Sequence, residues 1–101
     1  MTREGPTSKV TALGGSVVIQ LPESPTTGYR WELEGESDRA HLVSSTFEEI
    51  RHAERLAGGG GMRIVRLDVI GTEPLQLSFA LRRQWDTEPI ERRVVVVTFA
   101  D

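Results

Sequence analysis

The residue types that usually do covalent chemistry are scarce in this chain of 101 residues, which has two histidines and no cysteine. Disulfides, thiolate metal sites and a cysteine nucleophile are therefore excluded. His41 and His52 match no metal-ligand spacing. Gly14-Gly15-Ser16 lacks the glycine that follows the serine of a nucleophile elbow. Paired carboxylates such as Glu48-Glu49 more often form a solvated acidic face, and sequence alone does not separate that reading from a glycosidase-like pair. The glycine run Gly58 to Gly61 is not followed by Gly-Lys-Ser/Thr, so it is no phosphate-binding loop. No catalytic residue, metal or cofactor is expected.

Contact chemistry is better represented. Ser24-Pro25-Thr26-Thr27-Gly28 places two threonines on a stiff turn, since proline fixes φ and glycine permits φ > 0. Gly58-Gly59-Gly60-Gly61 offers backbone with no side chains to hold a partner off. Arg83-Gln84-Trp85 puts a tryptophan among polar neighbours, and an exposed aromatic at a loop tip is a typical interface anchor.

The elements that position these loops have a period of two. Val17, Ile19 and Leu21 share a face, as do Tyr29, Trp31 and Leu33; Val65, Leu67 and Val69; Leu75, Leu77, Phe79 and Leu81; and Val95, Val97 and Phe99. Alternation of this kind gives strands with one buried and one wet face, typical of antiparallel sheets. Strands are expected at 8–13, 15–21, 28–35, 41–48, 62–71, 74–83 and 90–100. Trp31 is expected in the core. The segment 47–57 has a competing helical reading: Ser45-Thr46-Phe47-Glu48 resembles a capping box, and Ile50, Ala53 and Ala57 have helical spacing. Strand followed by a long loop is the preferred reading. Residues 1–7 are expected to be a flexible tail, and 8–101 a single domain.

About seven short strands separated by Gly, Pro and Asp signals imply an all-β, immunoglobulin-like antiparallel β-sandwich. If successive strands alternate in direction, the connections at 22–27, 51–61 and 83–89 fall at one end. The brief Gly14-Gly15 and Gly71-Thr72-Glu73 turns fall at the other. One end would be a binding end and the other plain.

In this arrangement the residues resemble the chagasin-type inhibitors of papain-like cysteine peptidases. The family pattern is Asn-Pro-Thr-Thr-Gly-Tyr-x-Trp, then Gly-x-Gly-Gly, then Arg-Pro-Trp. Here the three stretches read Ser24 to Trp31, Gly58 to Gly61, and Arg83-Gln84-Trp85, in the same order. The resemblance covers about residues 8 to 100. It implies an immunoglobulin-like fold whose three loops block the peptidase cleft reversibly. On that basis Ser24, Pro25, Thr26, Thr27, Gly28, Gly58, Gly59, Gly60, Gly61, Arg83, Gln84 and Trp85 are the peptidase-binding residues. Two positions depart from the pattern: Ser24 replaces asparagine, a better turn former, and Gln84 replaces proline, which removes pre-ordering beside Trp85.

Other readings rest on other residues. The same fold hosts non-inhibitory binding modules for peptide or carbohydrate. Arg82, Arg83, Arg92 and Arg93 would suit a polyanion if Asp86, Glu88 and Glu91 did not lie among them. A net charge of −3 from 15 acidic and 12 basic residues argues against nucleic acid as main partner. The longest apolar run, Val94 to Val97, is too short for membrane insertion. Met1 to Pro6 has no apolar signal core, which fits a cytoplasmic protein or a mature exported one. A monomer is expected when free.

Overall fold

A computed structural model describes residues 2–24, 27–35, 37–49 and 60–100. Its described residues form eight strands: β1 (Arg3–Glu4), β2 (Ser8–Ala12), β3 (Ser16–Glu23), β4 (Arg30–Glu34), β5 (Ala40–Glu49), β6 (Gly61–Val69), β7 (Leu75–Arg82) and β8 (Glu91–Phe99). One sheet has the order β1-β8-β7-β4, with β2 also paired to β8; the other is β3-β6-β5. The two make an immunoglobulin-like sandwich. No described helix is long and apolar enough to cross a membrane.

The alternation seen in the sequence is what builds the core. β3 is buried at every second residue, Val17, Ile19 and Leu21 facing inward and Ser16, Val18 and Gln20 outward. Leu67 of β6, Phe79 of β7 and Val95 and Val97 of β8 are fully buried between the sheets. Each such side chain contributes about 1.5–3 kcal/mol by leaving water. Trp31 joins this core, as expected, with 2% of its surface exposed.

Two features depart from the expected pattern. The stretch 1–7, expected as a tail, contains β1. Arg3 N–H donates to Ile90 O and Gly5 N–H to Arg92 O, while Thr2 Oγ1 donates to Pro89 O. A strand of two residues is too short to show alternation, so nothing in the sequence pattern marks it. The second departure is that β1 and β2 both pair with β8 in parallel, with Ser8 opposite Val95 and Ala12 opposite Phe99. Strand reversal explains this for β2: when each strand from β2 to β8 reverses the one before, the first and last run the same way.

In the disputed segment, Phe47, Glu48 and Glu49 belong to β5, opposite Arg63, Met62 and Gly61. Residues 50–57 lie outside the described residues. A register shift between Leu42 and Ser44 leaves both Leu42 and Val43 exposed.

The registers also fix where the connections emerge. Glu23 at the end of β3 and Glu49 at the end of β5 both pair with Gly61 at the start of β6. In the other sheet Arg30 pairs with Arg82, and Leu81 with Glu91. The two sets of ends are tied together by Glu23, whose carboxylate accepts the backbone N–H of Trp31 at 2.9 Å. The connections β3–β4, β5–β6 and β7–β8 therefore leave and return at one end of the sandwich, as strand parity predicts.

Candidate functional site

A buried ion pair underlies this end. Glu23 continues the inward parity of Val17, Ile19 and Leu21, and Arg63 that of Val65, Leu67 and Val69. Their side chains are 3% and 8% exposed and meet in a fork: Arg63 Nη2 donates to Glu23 Oε1 at 2.7 Å and Nε to Oε2 at 3.2 Å. Trp31 Nε1 donates to Pro22 O at 2.7 Å. The last two residues of β3, Pro22 and Glu23, are thus both bonded to Trp31 at the start of β4, which fixes where the 24–29 loop leaves and returns.

Within that loop, Thr27 folds back on Ser24. Its N–H and its Oγ1 both donate to Ser24 O, at 3.3 and 2.8 Å. Thr27 Oγ1 in turn accepts the N–H of Tyr29. A threonine hydroxyl bonding its own backbone neighbours in this way is a local turn lock. Gly28 then takes φ = 80°, a conformation costly for any residue with a Cβ. Pro25 and Thr26 lie outside the described residues, as do Gly58 and Gly59.

Of the glycine run, Gly60 is half-buried and Gly61 is buried in β6. A Cβ at Gly61 would collide with the carbonyl oxygen of Glu48 and stand 2.5 Å from Cζ of Phe47. The glycine at this position is required by the strand pairing beneath the loop.

The 83–90 loop is organised by an arginine and an aspartate three residues apart. Arg83 donates from Nε to Asp86 Oδ2 at 3.0 Å and from Nη2 to Oδ1 at 3.2 Å. Arg83 N–H donates to the same Oδ2, and Asp86 N–H donates back to Arg83 O at 3.0 Å. Arg82 Nη1 donates to Asp86 O. The hydrogen bonds from Arg83 hold the Asp86 carboxyl below the usual carboxylate range against a smaller opposing effect of burial, and the same bond raises the Arg83 guanidinium. So held, the Arg83 guanidinium lies 4.9 Å from the Tyr29 ring centre and 5.4 Å from that of Trp85, within range of cation–π attraction.

This arginine joins the two loops. The Cβ position of Gly28 is 3.7 Å from Arg83 Cγ and 3.9 Å from the outer ring of Trp85. Trp85 nonetheless keeps 71% of its surface exposed, and Gln84 beside it is exposed. The described members of the expected set thus fall into three groups. Ser24, Thr27 and Gly28 shape one tip, and Arg83, Gln84 and Trp85 shape another in contact with it. Gly60 and Gly61 lead back into β6 at the same end.

Three contributors escape the sequence reading. Asp86 is legible only as one of several acidic residues among arginines, although its spacing from Arg83 suits a pair. The Glu23–Arg63 pair is betrayed by parity, because both residues fall on faces that are otherwise apolar. Tyr29, expected to face the core, is half-buried and stacks on Arg83.

The four arginines considered for a polyanion all have carboxylate partners: Arg82 with Glu32, Arg83 with Asp86, Arg92 with Glu34 and Arg93 with Glu91. Among the described residues no group of three or more His, Asp or Glu is placed to hold a metal ion. Among the described residues, this end offers an exposed indole beside a turn held by Thr27 and Gly28.

Comparisons with known proteins bear on the family and the fold. The profile of the chagasin family peptidase inhibitor I42 matches residues 10–99. Among solved structures, the chain is similar to the cysteine protease inhibitor EhICP2 from Entamoeba histolytica, with 22% identity and a TM-score of 0.71 over 98% of this chain and 88% of that one. It is similar to amebosin in solution, with 24% identity and a TM-score of 0.54 over 99% and 100%. It is also similar to PbICP-C, solved in complex with falcipain-2, with 16% identity and a TM-score of 0.56 over 99% and 94%. No curated protein matches. With nearly all of its strands inside the matched span, the chain belongs to the chagasin family of peptidase inhibitors.

Proposed function

We propose that this protein inhibits papain-like cysteine peptidases by seating the 24–28, 58–61 and 83–85 tips together in the active-site cleft. The observation that carries the reading is the convergence of these connections on one end, with Trp85 71% exposed and leaning on Arg83 beside Gly28. One proposed partner, a cysteine peptidase, is of the class that family membership points to, and PbICP-C has been solved with falcipain-2.

The mechanism is obstruction. Pro25, Gly28 and the Thr27–Ser24 bonds stiffen the first tip, so little entropy is lost when it docks over the catalytic cysteine and histidine. Thr26 stands nearest the thiolate, its hydroxyl meeting polar groups and its methyl packing. No peptide carbonyl need enter attack geometry for the groove to be blocked, so the tip fills it without being offered as substrate. The glycine run lies along the non-primed cleft, where backbone without side chains exchanges N–H···O=C bonds as an extended substrate does. Trp85 packs on the other wall. The three tips together cover about 800 Å² per partner, a standard inhibitor footprint.

The test is the inhibition constant against papain for the parent chain, Thr26→Ala and Trp85→Ala. Truncating a central aromatic anchor costs about 2 kcal/mol or more, about thirtyfold in affinity. The expected result is that both variants inhibit more weakly while their thermal midpoints stay at the parent value. Unchanged inhibition by both variants rejects the assignment.

A further inference from the structure

We infer that Asp86 is a positioning residue for Trp85, supplying the pre-ordering that a proline at position 84 would otherwise give. The inference rests on the inhibitor reading above, and it concerns how this chain keeps its indole in place before any partner arrives.

The 83–86 segment is a tight turn closed by Asp86 N–H donating to Arg83 O at 3.0 Å. Gln84 and Trp85 occupy its two central positions. No non-glycine residue described has a positive φ, which leaves a turn of type I geometry. Its first central position is where proline is favoured, because the ring presets the required φ. Gln84 gives no such preset, and free Gln84 torsions would let the neighbouring indole sample many orientations.

Asp86 restricts the turn from its other end. One carboxylate makes three contacts with Arg83: its backbone N–H at 3.1 Å, Nε at 3.0 Å and Nη2 at 3.2 Å. Residues 83 and 86 are therefore joined by backbone and side chain at once. The carboxylate also fixes the plane of the guanidinium, and on that plane rest Trp85 at 5.4 Å and Tyr29 at 4.9 Å. Asp86 itself is half-buried behind the loop while Trp85 is exposed, so it acts on a partner through the indole.

The experiment measures papain inhibition by full-length Trp85→Ala, Asp86→Ala, Gln84→Pro and the Gln84→Pro/Asp86→Ala double variant. Relaxation of the Trp85 indole N–H in the free protein is measured alongside. Asp86→Ala is expected to weaken inhibition about three- to tenfold and to make the indole more mobile on the nanosecond scale. Gln84→Pro is expected to recover most of that loss in the double variant. Its gain there should exceed its gain in the parent, the non-additivity expected of two devices serving one turn. A purely structural role for Asp86 predicts no such coupling.

If Trp85→Ala inhibits as well as the parent, the inhibitor reading of this loop fails. If Trp85→Ala loses inhibition and Asp86→Ala does not, the inhibitor reading stands and the inference is overturned. Loss in Asp86→Ala without recovery by Gln84→Pro also overturns it, because Asp86 then serves the partner directly.

Discussion

Glu23 has three hydrogen bonds to its carboxylate and almost no water: two come from Arg63 and one from the backbone of Trp31. A forked pair of this kind places two opposed demands on the chain. Taking both charges out of water is costly, and only good geometry offsets it. Removing one partner is worse than removing both, because the survivor stays buried and unpaired. Glu23→Ala is therefore expected to destabilise the domain by about 3–5 kcal/mol, a large part of the stability of a small domain. The loss would be read from denaturant midpoints at unchanged slope. Replacing both Glu23 and Arg63 by apolar residues of similar volume should restore much of it. A Glu23→Ala variant as stable as the parent would mean that the pair only fills space. Sequence parity already places both residues inside. What parity does not give is that they meet, since β3 and β6 are far apart in the chain and only their register brings residue 23 level with residue 61 and its neighbours.

At the scale of elements, the strands were legible and the loops only partly so. Strands such as β3 and β7 carry enough alternating apolar residues to declare their faces. The 83–90 loop carries no period, and its shape depends on which of several nearby charges pair. The structure selects Arg83 with Asp86, and that choice has a pH dependence. Asp86 sits below the usual carboxylate range because of its hydrogen bonds to Arg83, with burial opposing and the charges of Arg83 and Arg82 assisting. A carboxylate whose pKa is depressed on folding stabilises the structure above its unfolded-state pKa. That contribution is lost as pH falls through the folded value. The turn is therefore expected to hold unchanged at neutral and mildly acidic pH, and to loosen only below the ordinary aspartate range. The Trp85 indole resonance, followed through an acid titration, should shift in that low window, and Asp86→Asn should remove the step. A transition centred at or above the ordinary aspartate value would contradict the bonding described here.

For the molecule as a whole, the N-terminal residues that look peripheral in sequence brace the proposed binding end. β1 bonds the return limb of the 83–90 loop: Thr2 Oγ1 to Pro89 O, Arg3 N–H to Ile90 O at 2.9 Å, and the Arg3 guanidinium to Glu91 at 3.0 Å. Burial pushes the Glu91 carboxyl up, but hydrogen bonds from Arg93 and Arg3, with their charges, more than offset it and leave it lowered. None of this was readable from residues 1–7, where two paired residues and a proline give no pattern; a sandwich of seven strands stands complete without them. The physical expectation is that β1 is an accessory clamp. Removing residues 1–5 deletes two backbone hydrogen bonds, the Thr2 hydroxyl bond to Pro89 O and one end of an ion pair, about 2 kcal/mol together, or a fall of about 10 °C in thermal midpoint for a domain of this size. Because the lost bonds belong to Pro89, Ile90 and Arg92, amide exchange in the truncated protein should accelerate in β8 near residue 91 and in the 83–90 loop before it does in β3 or β6. Inhibition of papain should weaken by a few-fold, following the loop. Uniform acceleration across both sheets would instead make β1 part of the cooperative core, and unchanged exchange throughout would make it a bystander.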